Sequence, residues 1–536
     1  MTAARPAAVV VLAAGQGTRM RSATSKMLHA IGGRTVLGHV LAASQGLDPE
    51  RLVVVVRHAR EEVAAEALAR VPEVVVADQD DVPGTGRAVQ CALERLDAAA
   101  HATEAGAGGV AAGALVGLEG TVVVVAGDVP LIDTETLADL HAQHVAGGHA
   151  ATVLTAVVPD ATGYGRIVRD ERGRVASIVE HRDASHEQLG IREINSSIYV
   201  FDAAVLRGAL GRLGQDNAQG EVYLTDVLAI ARADGGVVGA VQARSALTVE
   251  GVNDRAQLAQ LGVELNRRTL TRHMLAGVTV VDPGTTWIDV DVELAQDVTI
   301  LPGTQLHGAT TVGTGSTIGP DTTLTDVEVG ENVMVVRTHG SLAVLADGAS
   351  VGPFAYLRPG THLGVRGKIG TFVETKNVEI GEGSKVPHLT YVGDATIGEG
   401  TNIGAGSIFV NYDGVHKHRT AVGSYARTGA NNKFVAPVSV GDGAYTGAGA
   451  VILEDVPPGA LAVSNAPQRT IDGWVERRRP GTDSARAAAR AAAATVPQGL
   501  GAQARAERER AESAATPTLP GQSVPGDAAP EGDSAR

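Results

Sequence analysis

The first half of the chain alternates short β-branched hydrophobic runs with stretches whose apolar residues recur at helical spacing. Helical patterns such as TVLGHVLAASQGL and EEVAAEALARV separate the runs. Unbroken runs of this kind are typical of strands buried on both faces of a parallel sheet, and their alternation with helices predicts an α/β domain. The runs are AAVVVLAAG, RLVVVVR, EVVVAD, GTVVVVAGDVP and ATVLTAVV.

A different period follows residues 254–275, whose apolar spacing predicts one long helix joining two domains. When residues 298–327 are written in sixes, the third position of every hexad is aliphatic, and the pattern returns up to residue 443. A six-residue period does not fit a helix, and a glycine-rich disordered segment would not keep aliphatic residues at fixed spacing. The hexads predict a parallel β-helix whose axis is filled, in the first five, by Ile300, Leu306, Val312, Ile318 and Leu324.

Composition divides the chain into four segments. We expect an α/β domain at 1–253, a linker helix at 254–277 and the β-helix at 278–480. From about residue 481 large apolar residues almost disappear, so burial cannot offset the entropy of ordering. The segment 481–536 is therefore expected to be largely disordered, with a transient Ala/Arg helix near 484–495.

Charge and cysteine content narrow the function classes. The formal net charge of the 536 residues is −15, which disfavours binding to nucleic acid or an anionic membrane. The single cysteine, Cys91, excludes a disulfide framework and a cysteine-based metal site. No run is long and apolar enough to span a membrane, and the first run lacks a signal-peptide ending, so the expected location is the cytoplasm.

The loop that ends the first hydrophobic run, GQGTRM at 15–20, has the composition of a phosphate-binding loop. It lacks the third glycine of a dinucleotide fingerprint and the G-K-[ST] ending of a P-loop. Gly15 and Gly17 let backbone N–H groups approach phosphate oxygens, and Arg19 and Lys26 are cations that could hold a triphosphate.

Two residues with side-chain oxygens accompany this loop. Asp128 follows the run GTVVVVAG, and Asn253 lies in VEGVND. Ligands of such sheets bind beyond the carboxyl ends of the strands, so Asp128 and the loop should share one crevice. A carboxylate there can hold Mg²⁺ between phosphates, with Asn253 as a second oxygen ligand. Taken alone, however, an aspartate at the end of a strand such as Asp128 is more often a helix cap or a turn residue.

Together these motifs resemble the sugar-1-phosphate nucleotidyltransferases, whose signature is L-x-x-G-x-G-T-R-M followed by a lysine. Further matching motifs run from GTG at 84–86 to GVND at 251–254. With the β-helix, the chain resembles the bacterial family of bifunctional N-acetylglucosamine-1-phosphate uridylyltransferases and glucosamine-1-phosphate N-acetyltransferases over roughly residues 8–475. The matching motifs between these two are GDVPL, TGYGRI, IVEH, EIN and GEVYLTDV.

This resemblance implies a Rossmann-like uridylyltransferase domain followed by a left-handed β-helix. In the implied first reaction, N-acetylglucosamine 1-phosphate attacks the α-phosphorus of UTP, pyrophosphate leaves, and UDP-N-acetylglucosamine forms for peptidoglycan and other envelope precursors. Arg19 and Lys26 would assist this step, and Asp128 and Asn253 would hold Mg²⁺. The residues implied to bind the nucleotide and sugar are Leu12, Ala13, Ala14, Gly15, Lys26, Gln79, Gly84, Thr85, Ala126, Gly127, Asp128, Gly165, Glu180, Asn195 and Asn253.

The hexad pattern is interrupted at GTFVETKNVEI, KVPHLTYVGDA and FVNYDGVHKHRT. Functional residues are often found at such interruptions of a repeat. His388 lies in the second break, near Glu374 and Lys376 in stacked coils. A lone histidine is often a structural hydrogen-bonding residue. The resemblance implies instead that His388 is the general base that takes a proton from glucosamine 1-phosphate before its amine attacks acetyl-CoA. Glu374 is our candidate for orienting that imidazole.

The resemblance also implies the binding residues of this second site and a homotrimer in which neighbouring chains complete it. One departure concerns the family's G-S-D-T segment, where Ala430 replaces a serine and Asn431 and Asn432 follow. It motivates a narrower alternative, a uridylyltransferase whose β-helix only trimerises; a non-catalytic regulatory subunit is a further alternative. The implied ligands of glucosamine 1-phosphate and acetyl-CoA are Arg358, Lys376, Tyr391, Asn402, Ala405, Asn411, Tyr412, Ala430, Ala448 and Asn465.

Overall fold

The computed structural model describes residues 5–106, 118–464, 468–493 and 510. The described residues up to Ser464 belong to one compact unit, and those from Gln468 onward to a second. The described part of the second unit contains the helices Trp474–Arg478 and Asp483–Ala493. The latter corresponds to the Ala/Arg helix that the sequence predicts within 481–536, and the rest of that predicted tail, apart from residue 510, lies outside the described residues.

A mixed sheet forms the centre of the N-terminal part, in the order β11-β7-β10-β6-β1-β4-β5, with β8 and β9 attached beside β10. Strand β10 is antiparallel to both of its neighbours, whereas β1 is parallel to β4 and β6. The strands of this sheet are β1 (Ala8–Leu12), β4 (Leu52–Val56), β5 (Val75–Asp78), β6 (Thr121–Ala126), β7 (Ala151–Val157), β8 (Arg166–Arg169), β9 (Val175–Val179), β10 (Glu193–Asp202) and β11 (Val238–Gln242), whereas β2 (Ala30–Ile31) and β3 (Arg34–Thr35) pair with each other in a separate two-stranded sheet.

Helices cover both faces of this sheet, as the alternating pattern predicts. Along β1, Val9 and Val11 pack against one helical layer, and Val10 packs against the other, because successive side chains of a strand point to opposite faces. The helices are α1 (Val36–Gln45), α2 (Arg60–Arg70), α3 (Thr85–Gly106), α4 (Thr134–Gly147), α5 (His186–Leu189), α6 (Ala203–Leu210), α7 (Asp226–Ala233) and α8 (Arg255–Leu275).

The second part of the unit is a parallel β-helix, and the predicted hexad positions fill its interior. Short strands pair in parallel with strands one coil away; Ile300 pairs with Ile318, and Leu306 with Leu324. All five predicted axial residues are buried. The strands of the first face are Thr279–Val280, Thr299–Ile300, Thr317–Ile318, Met334–Val335, Ser350–Val351, Lys368–Thr371, Lys385–His388, Tyr445–Thr446 and Leu461–Ala462.

Two further faces share one continuous set of pairings, since Glu374–Ile380 and Tyr391–Ile397 each run through a corner and contribute to both. The other strands of the second face are Trp287–Ile288, Gln305–His307, Thr323–Thr325, His339–Ser341, Tyr356–Leu357, Ile408–Val410, Lys433–Val435 and Val451–Ile452. Those of the third face are Glu293–Leu294, Thr311–Val312, Glu328–Val329, Ala343–Leu345, Thr361–Leu363, Thr420–Val422 and Val438–Val440.

Helix α8 connects the sheet to the β-helix, as its apolar spacing predicts. The buried Asn266 donates from Nδ2 to the Thr286 carbonyl at 2.8 Å and accepts the Ile288 N–H at 3.0 Å. Arg34 forms an ion pair with Asp291 on the first coil. These contacts attach the middle of α8 and the sheet domain to the start of the β-helix.

Candidate active sites

An open pocket of about 380 Å³ lies beyond the carboxyl ends of β1, β4, β5 and β6. It brings together nine of the residues predicted for the nucleotide: Leu12, Ala14, Gly15, Lys26, Gln79, Gly84, Thr85, Ala126 and Asp128. Ala13, by contrast, is buried in the core of the sheet, where its N–H donates to the Val55 carbonyl at 2.9 Å.

Lys26 and Asp128 form a close ion pair in this pocket, with Nζ 2.5 Å from Oδ2. Lys26 is only 8% exposed, and the backbone that brings it there depends on a glycine. Gly17 has φ +65°, and a Cβ at this position would lie 2.8 Å from the Lys26 Cβ. The second glycine of the GQG sequence therefore allows the lysine stem to pack under the loop.

The carboxylate of Asp128 is held beside Asn253 by the main chain. The Asp128 carbonyl accepts the Val252 N–H at 2.8 Å, and the Gly127 N–H donates to the Leu12 carbonyl at 2.9 Å. On the far side, Arg19 Nη2 donates to Asn253 Oδ1 at 2.7 Å. Two acceptor side chains and two cations thus converge from separate parts of the chain.

The donor chemistry of Asp128 and Asn253 fits a magnesium ion. A carboxylate and an amide supply the hard oxygen ligands that Mg²⁺ prefers, and the remaining positions of such a site usually belong to phosphate oxygens and water. In this structure each oxygen contacts a cationic side chain, Lys26 or Arg19, so both oxygens are oriented to face a positive charge, and the two cations favour the phosphate groups of a ligand.

The opposite wall of the pocket is built from backbone that glycine makes accessible. Gln79 Nε2 donates to the carbonyls of Val82 at 3.0 Å and Gly84 at 3.1 Å, which fixes its amide. Gly84 has φ +119°, and a Cβ there would lie 2.3 Å from the Val222 carbonyl oxygen. Thr85 Oγ1 accepts the Leu224 N–H at 3.2 Å, so this wall is rigid.

The three residues predicted to bind the sugar also lie together. The Asn195 N–H donates to the Gly165 carbonyl at 2.9 Å, and a Cβ on Gly165 would lie 3.2 Å from Glu180 Oε1. Burial raises the pKa of Glu180, and the nearby carboxylates of Asp183, Asp226 and Glu221 raise it further. The Glu180 carboxyl is therefore poised to hydrogen-bond a neutral hydroxyl-bearing ligand.

On the β-helix, a second polar cluster centres on Asp394. Its Oδ2 accepts Asn411 Nδ2 at 2.6 Å and lies 3.6 Å from Lys376 Nζ, and Asn377 Nδ2 donates to its Oδ1 at 2.8 Å. Contact with Lys376 lowers the pKa of Lys417, whose charge faces the same cluster. Two ammonium groups held beside one carboxylate leave a net positive site that suits a phosphate.

His388 ends the strand Lys385–His388 with an exposed side chain. The carboxylate of Glu374 accepts Arg358 Nη1 at 3.0 Å, and within the described part of the chain no hydrogen bond joins it to His388. Tyr391, which pairs with Glu374 on the neighbouring coil, accepts Asn411 Nδ2 at 3.3 Å. Three of the predicted sugar-phosphate residues, Arg358, Lys376 and Tyr391, thus belong to one continuous polar surface.

Successive coils carry the remaining residues predicted for glucosamine 1-phosphate and acetyl-CoA, with Ala405 and Ala448 those predicted along coenzyme A. The Asn431 N–H donates to the Ala405 carbonyl at 2.6 Å, and the Gly449 N–H donates to the carbonyl of Ala430, whose side chain is exposed. Asn402 pairs with Arg427, Tyr412 donates to the Gly414 carbonyl at 2.6 Å, and Ala448 is exposed beside the Gly429 backbone. Asn465 lies outside the described residues.

Comparison with known proteins adds independent evidence. A family model described as a MobA-like NTP transferase domain matches residues 9–168. Bifunctional protein GlmU from Kineococcus radiotolerans is 62% identical over 486 residues, covering 91% of this chain and 95% of the relative. The proteins of that name from Micrococcus luteus and Mycolicibacterium vanbaalenii are 57% and 58% identical, covering 93% and 90% of this chain and 99% and 95% of each relative. The chain belongs to the bifunctional GlmU family.

Membership of the GlmU family confirms the family resemblance seen in the motifs. The chain is a bifunctional transferase of UDP-N-acetylglucosamine synthesis, and the narrower alternatives are not favoured. An NTP transferase and an acetyltransferase are the activities of this family, which points to nucleotide and sugar-phosphate substrates. In the described ranges, none of the helices is long and apolar enough to cross a membrane.

Several residues that the motifs did not single out lie at these GlmU sites. Arg57, His58 and Ser197 line the first pocket, and so does Glu221, which lies in the motif GEVYLTDV without a role assigned to it there. Ser197 has φ +61° in a bulge of β10, a left-handed conformation that is uncommon for serine. Burial, together with the charges of Glu250 and Asp128, raises the pKa of Tyr164, so this ring lies within electrostatic range of Asp128. A backbone bulge and long-range contacts of this kind leave no local sequence signal.

Proposed function

We propose that the pocket beyond β1, β4, β5 and β6 transfers a uridylyl group from UTP to N-acetylglucosamine 1-phosphate. A phosphate oxygen of the sugar attacks the α-phosphorus, the bond from that phosphorus to the bridging oxygen breaks, and pyrophosphate leaves. No covalent enzyme intermediate is needed, because such phosphoryl transfers depend on positioning and charge neutralisation. The observation that carries this proposal is the pairing of Lys26 with Asp128 opposite that of Arg19 with Asn253.

The chain's own groups divide the work of this reaction. Lys26 and Arg19 are the cations closest to the proposed metal ligands, so they neutralise phosphate charge as it builds up on the leaving group. Asp128 and Asn253 would hold Mg²⁺, which when bound draws phosphate oxygens together and offsets their charge. Gly165, Glu180 and Asn195 orient the sugar.

The uridine fits the wall formed by Gln79, Gly84 and Thr85. The N–H groups of the Gln79 amide donate to the Val82 and Gly84 carbonyls, so the amide oxygen remains free to accept a hydrogen bond from a base that carries an imide N–H. Uracil and thymine carry such a donor, whereas cytosine does not. This asymmetry supports UTP over CTP as the nucleotide.

We propose that the β-helix acetylates glucosamine 1-phosphate with acetyl-CoA. His388 accepts a proton from the amine of the sugar as its nitrogen attacks the thioester carbon, the carbon–sulfur bond breaks, and the proton passes to the departing thiolate, so coenzyme A leaves as a thiol. Lys376, Lys417 and Arg358 form the positive surface that holds the sugar phosphate, with Asn411 and Tyr391 beside them.

The residues proposed for acetyl transfer lie on an open surface of the single chain. His388 and Ala430 both have exposed side chains on the outside of the β-helix, where a second copy can pack against them. A cyclic trimer would close such a face, because a head-to-tail interface repeated three times forms a ring. We therefore propose a homotrimer whose neighbouring chains complete the acetyltransferase site.

The experiment uses the purified full-length chain in two half-reactions. Pyrophosphate release is measured with UTP, Mg²⁺ and N-acetylglucosamine 1-phosphate, and thiol release with acetyl-CoA and glucosamine 1-phosphate. The proposal expects both products, with His388→Ala abolishing only thiol release. Pyrophosphate without thiol, restored by Ala430→Ser, would contradict the acetyltransferase assignment of the natural chain.

A further inference from the structure

Gln257 folds back from the first turn of α8 onto the segment that precedes the helix. The side-chain Oε1 of Gln257 accepts the Asn253 main-chain N–H at 2.9 Å, while the main-chain N–H of Gln257 donates to Asp254 Oδ1 at 2.9 Å. Asp254 is the N-cap of the helix, so the Gln257 side chain reaches past the cap to a residue outside the helix. This contact attaches the main chain of Asn253 to the end of a 21-residue helix.

Further hydrogen bonds then orient the Asn253 side chain. Its Nδ2 donates to the Gly251 carbonyl at 3.3 Å, which turns Oδ1 toward Arg19 Nη2 at 2.7 Å. The next residue back, Val252, donates its N–H to the Asp128 carbonyl at 2.8 Å. The segment 251–253 is thus attached to Asp128 at one end and to Gln257 at the other.

We propose that Gln257 is a positioning residue for the metal site, acting through the backbone of Asn253. The inference rests on the proposed function, in which Asn253 and Asp128 hold a divalent cation. A neutral amide is a weaker ligand than a carboxylate, so its contribution depends on being held in place before the cation arrives. Without Gln257, the cation must itself order the segment 251–253, and that cost lowers its affinity.

A first-turn glutamine also has a purely structural role available to it. Residues at this position commonly satisfy a free N–H at a helix end, which stabilises the helix without affecting a ligand. The two roles differ in what they change. A helix cap alters the thermal midpoint only, whereas a positioning residue alters cation affinity in protein that is fully folded.

The test compares Gln257→Leu, Gln257→Glu and Gln260→Leu in the full-length chain. Gln260 lies one turn further along α8 and is exposed, so its substitution controls for changing a glutamine on this helix. Mn²⁺ binding is measured by electron paramagnetic resonance with UTP present and sugar phosphate omitted, alongside the thermal midpoint. The Mn²⁺ affinity of Gln257→Leu should be roughly three- to tenfold weaker, the cost of one lost hydrogen bond.

Gln257→Glu and Gln260→Leu should both bind Mn²⁺ within twofold of the natural chain. In Gln257→Glu a glutamate oxygen can still accept the Asn253 N–H, and Gln260 takes no part in that contact. Unchanged affinity in folded Gln257→Leu, or an equal loss in Gln260→Leu, would overturn the inference. If Gln257→Leu does not fold, Gln257→Ala replaces it under the same criteria. A natural chain that neither binds Mn²⁺ with UTP nor releases pyrophosphate would refute the proposed function itself.

Discussion

Asn411 Nδ2 donates to Asp394 Oδ2 over 2.6 Å, joining two coils of the β-helix between residues 17 apart in sequence. Burial disfavours the charged form of Asp394, but hydrogen bonds from Asn377 and Asn411 and the charges of Lys376 and Lys417 outweigh it and lower the pKa of this carboxyl. Asp394 therefore stays ionised and holds the Asn411 amide and the Lys376 ammonium on the same side of the β-helix.

Asp394→Asn should slow acetyl transfer by roughly tenfold and leave uridylyl transfer unchanged, because it removes the charge that orients Lys376. Thiol release and pyrophosphate release are measured on the same preparation. Asp413→Asn is the matched control, since Asp413 is an exposed carboxylate paired with His418 at 2.7 Å in the following loop. Equal effects of the two substitutions would count against a specific role for Asp394.

Lys26→Ala should lower pyrophosphate release by roughly 10²–10³-fold, because it removes a buried cation from the phosphate site and leaves Asp128 without its partner. Thiol release should stay within twofold, since the β-helix is untouched. Lys368→Ala, at an exposed lysine of the β-helix, provides the control. Retention of uridylyl transfer in Lys26→Ala would show that the ion pair is only structural.

Ala430→Ser should increase the rate of acetyl transfer, by up to roughly 10²-fold if a hydroxyl donor stabilises the intermediate. Folding should not change, because the Ala430 side chain is exposed and a hydroxyl there needs no space in the core. Steady-state thiol release gives the rate, and the thermal midpoint gives the stability. An unaltered rate would mean that another donor, such as a backbone N–H, already serves this position.

The stability of the sheet domain should fall between pH 6.5 and 4 because of His144. Burial, assisted by the nearby His149 and His141, lowers the pKa of this imidazole to about 4. The folded chain keeps His144 neutral, whereas the unfolded chain binds a proton below about pH 6.5, so falling pH favours unfolding by at most about 3 kcal/mol. Below pH 4 both states are protonated, and the contribution of this residue to the pH dependence ends.

Urea midpoints at pH 7.5 and 5.0, compared between the natural chain and His144→Gln, check this prediction. The urea midpoint of the natural chain should fall further between pH 7.5 and 5.0 than that of the variant, because the variant has no imidazole to titrate at position 144. His144 Nδ1 contacts Thr152 Oγ1 at 3.0 Å, and glutamine retains a polar group there. Equal losses in both proteins would assign the acid sensitivity to other groups.

The sequence pattern was sufficient to predict the architecture, because both the hydrophobic runs of the first half and the six-residue repeat of the second arise from the burial of apolar side chains. Unbroken valine runs become strands covered on both faces, and the hexad residue Ile300 lies on the axis of the β-helix between its coil neighbours. Asn432 shows the limit of such reasoning. It stands beside Ala430 in the family's catalytic segment, yet it is fully buried and donates to the Gly447 carbonyl at 2.8 Å, so its role here is structural.

The polar partners of the sites were harder to foresee. The phosphate loop and Asp128 could be located in one pocket from the sequence because each follows a hydrophobic run, whereas Asn253 was found only through the motif VEGVND. The contacts of Asp394 with Asn411, and of Gln257 with Asn253, depend on which side chains meet after the coils stack or a helix begins. Neither residue spacing nor composition indicates which side chains will come into contact in this way, and the family motifs do not extend to Gln257.

The most direct test of two chemistries in one chain follows the complete conversion of glucosamine 1-phosphate, acetyl-CoA and UTP into UDP-N-acetylglucosamine. The natural chain should complete it, Lys26→Ala should stop at N-acetylglucosamine 1-phosphate, and His388→Ala should leave glucosamine 1-phosphate unconsumed. Mixing the two variants should restore the product, because the acetylated sugar can diffuse from one protein to the other. No product from the natural chain, or full conversion by either variant alone, would contradict the account.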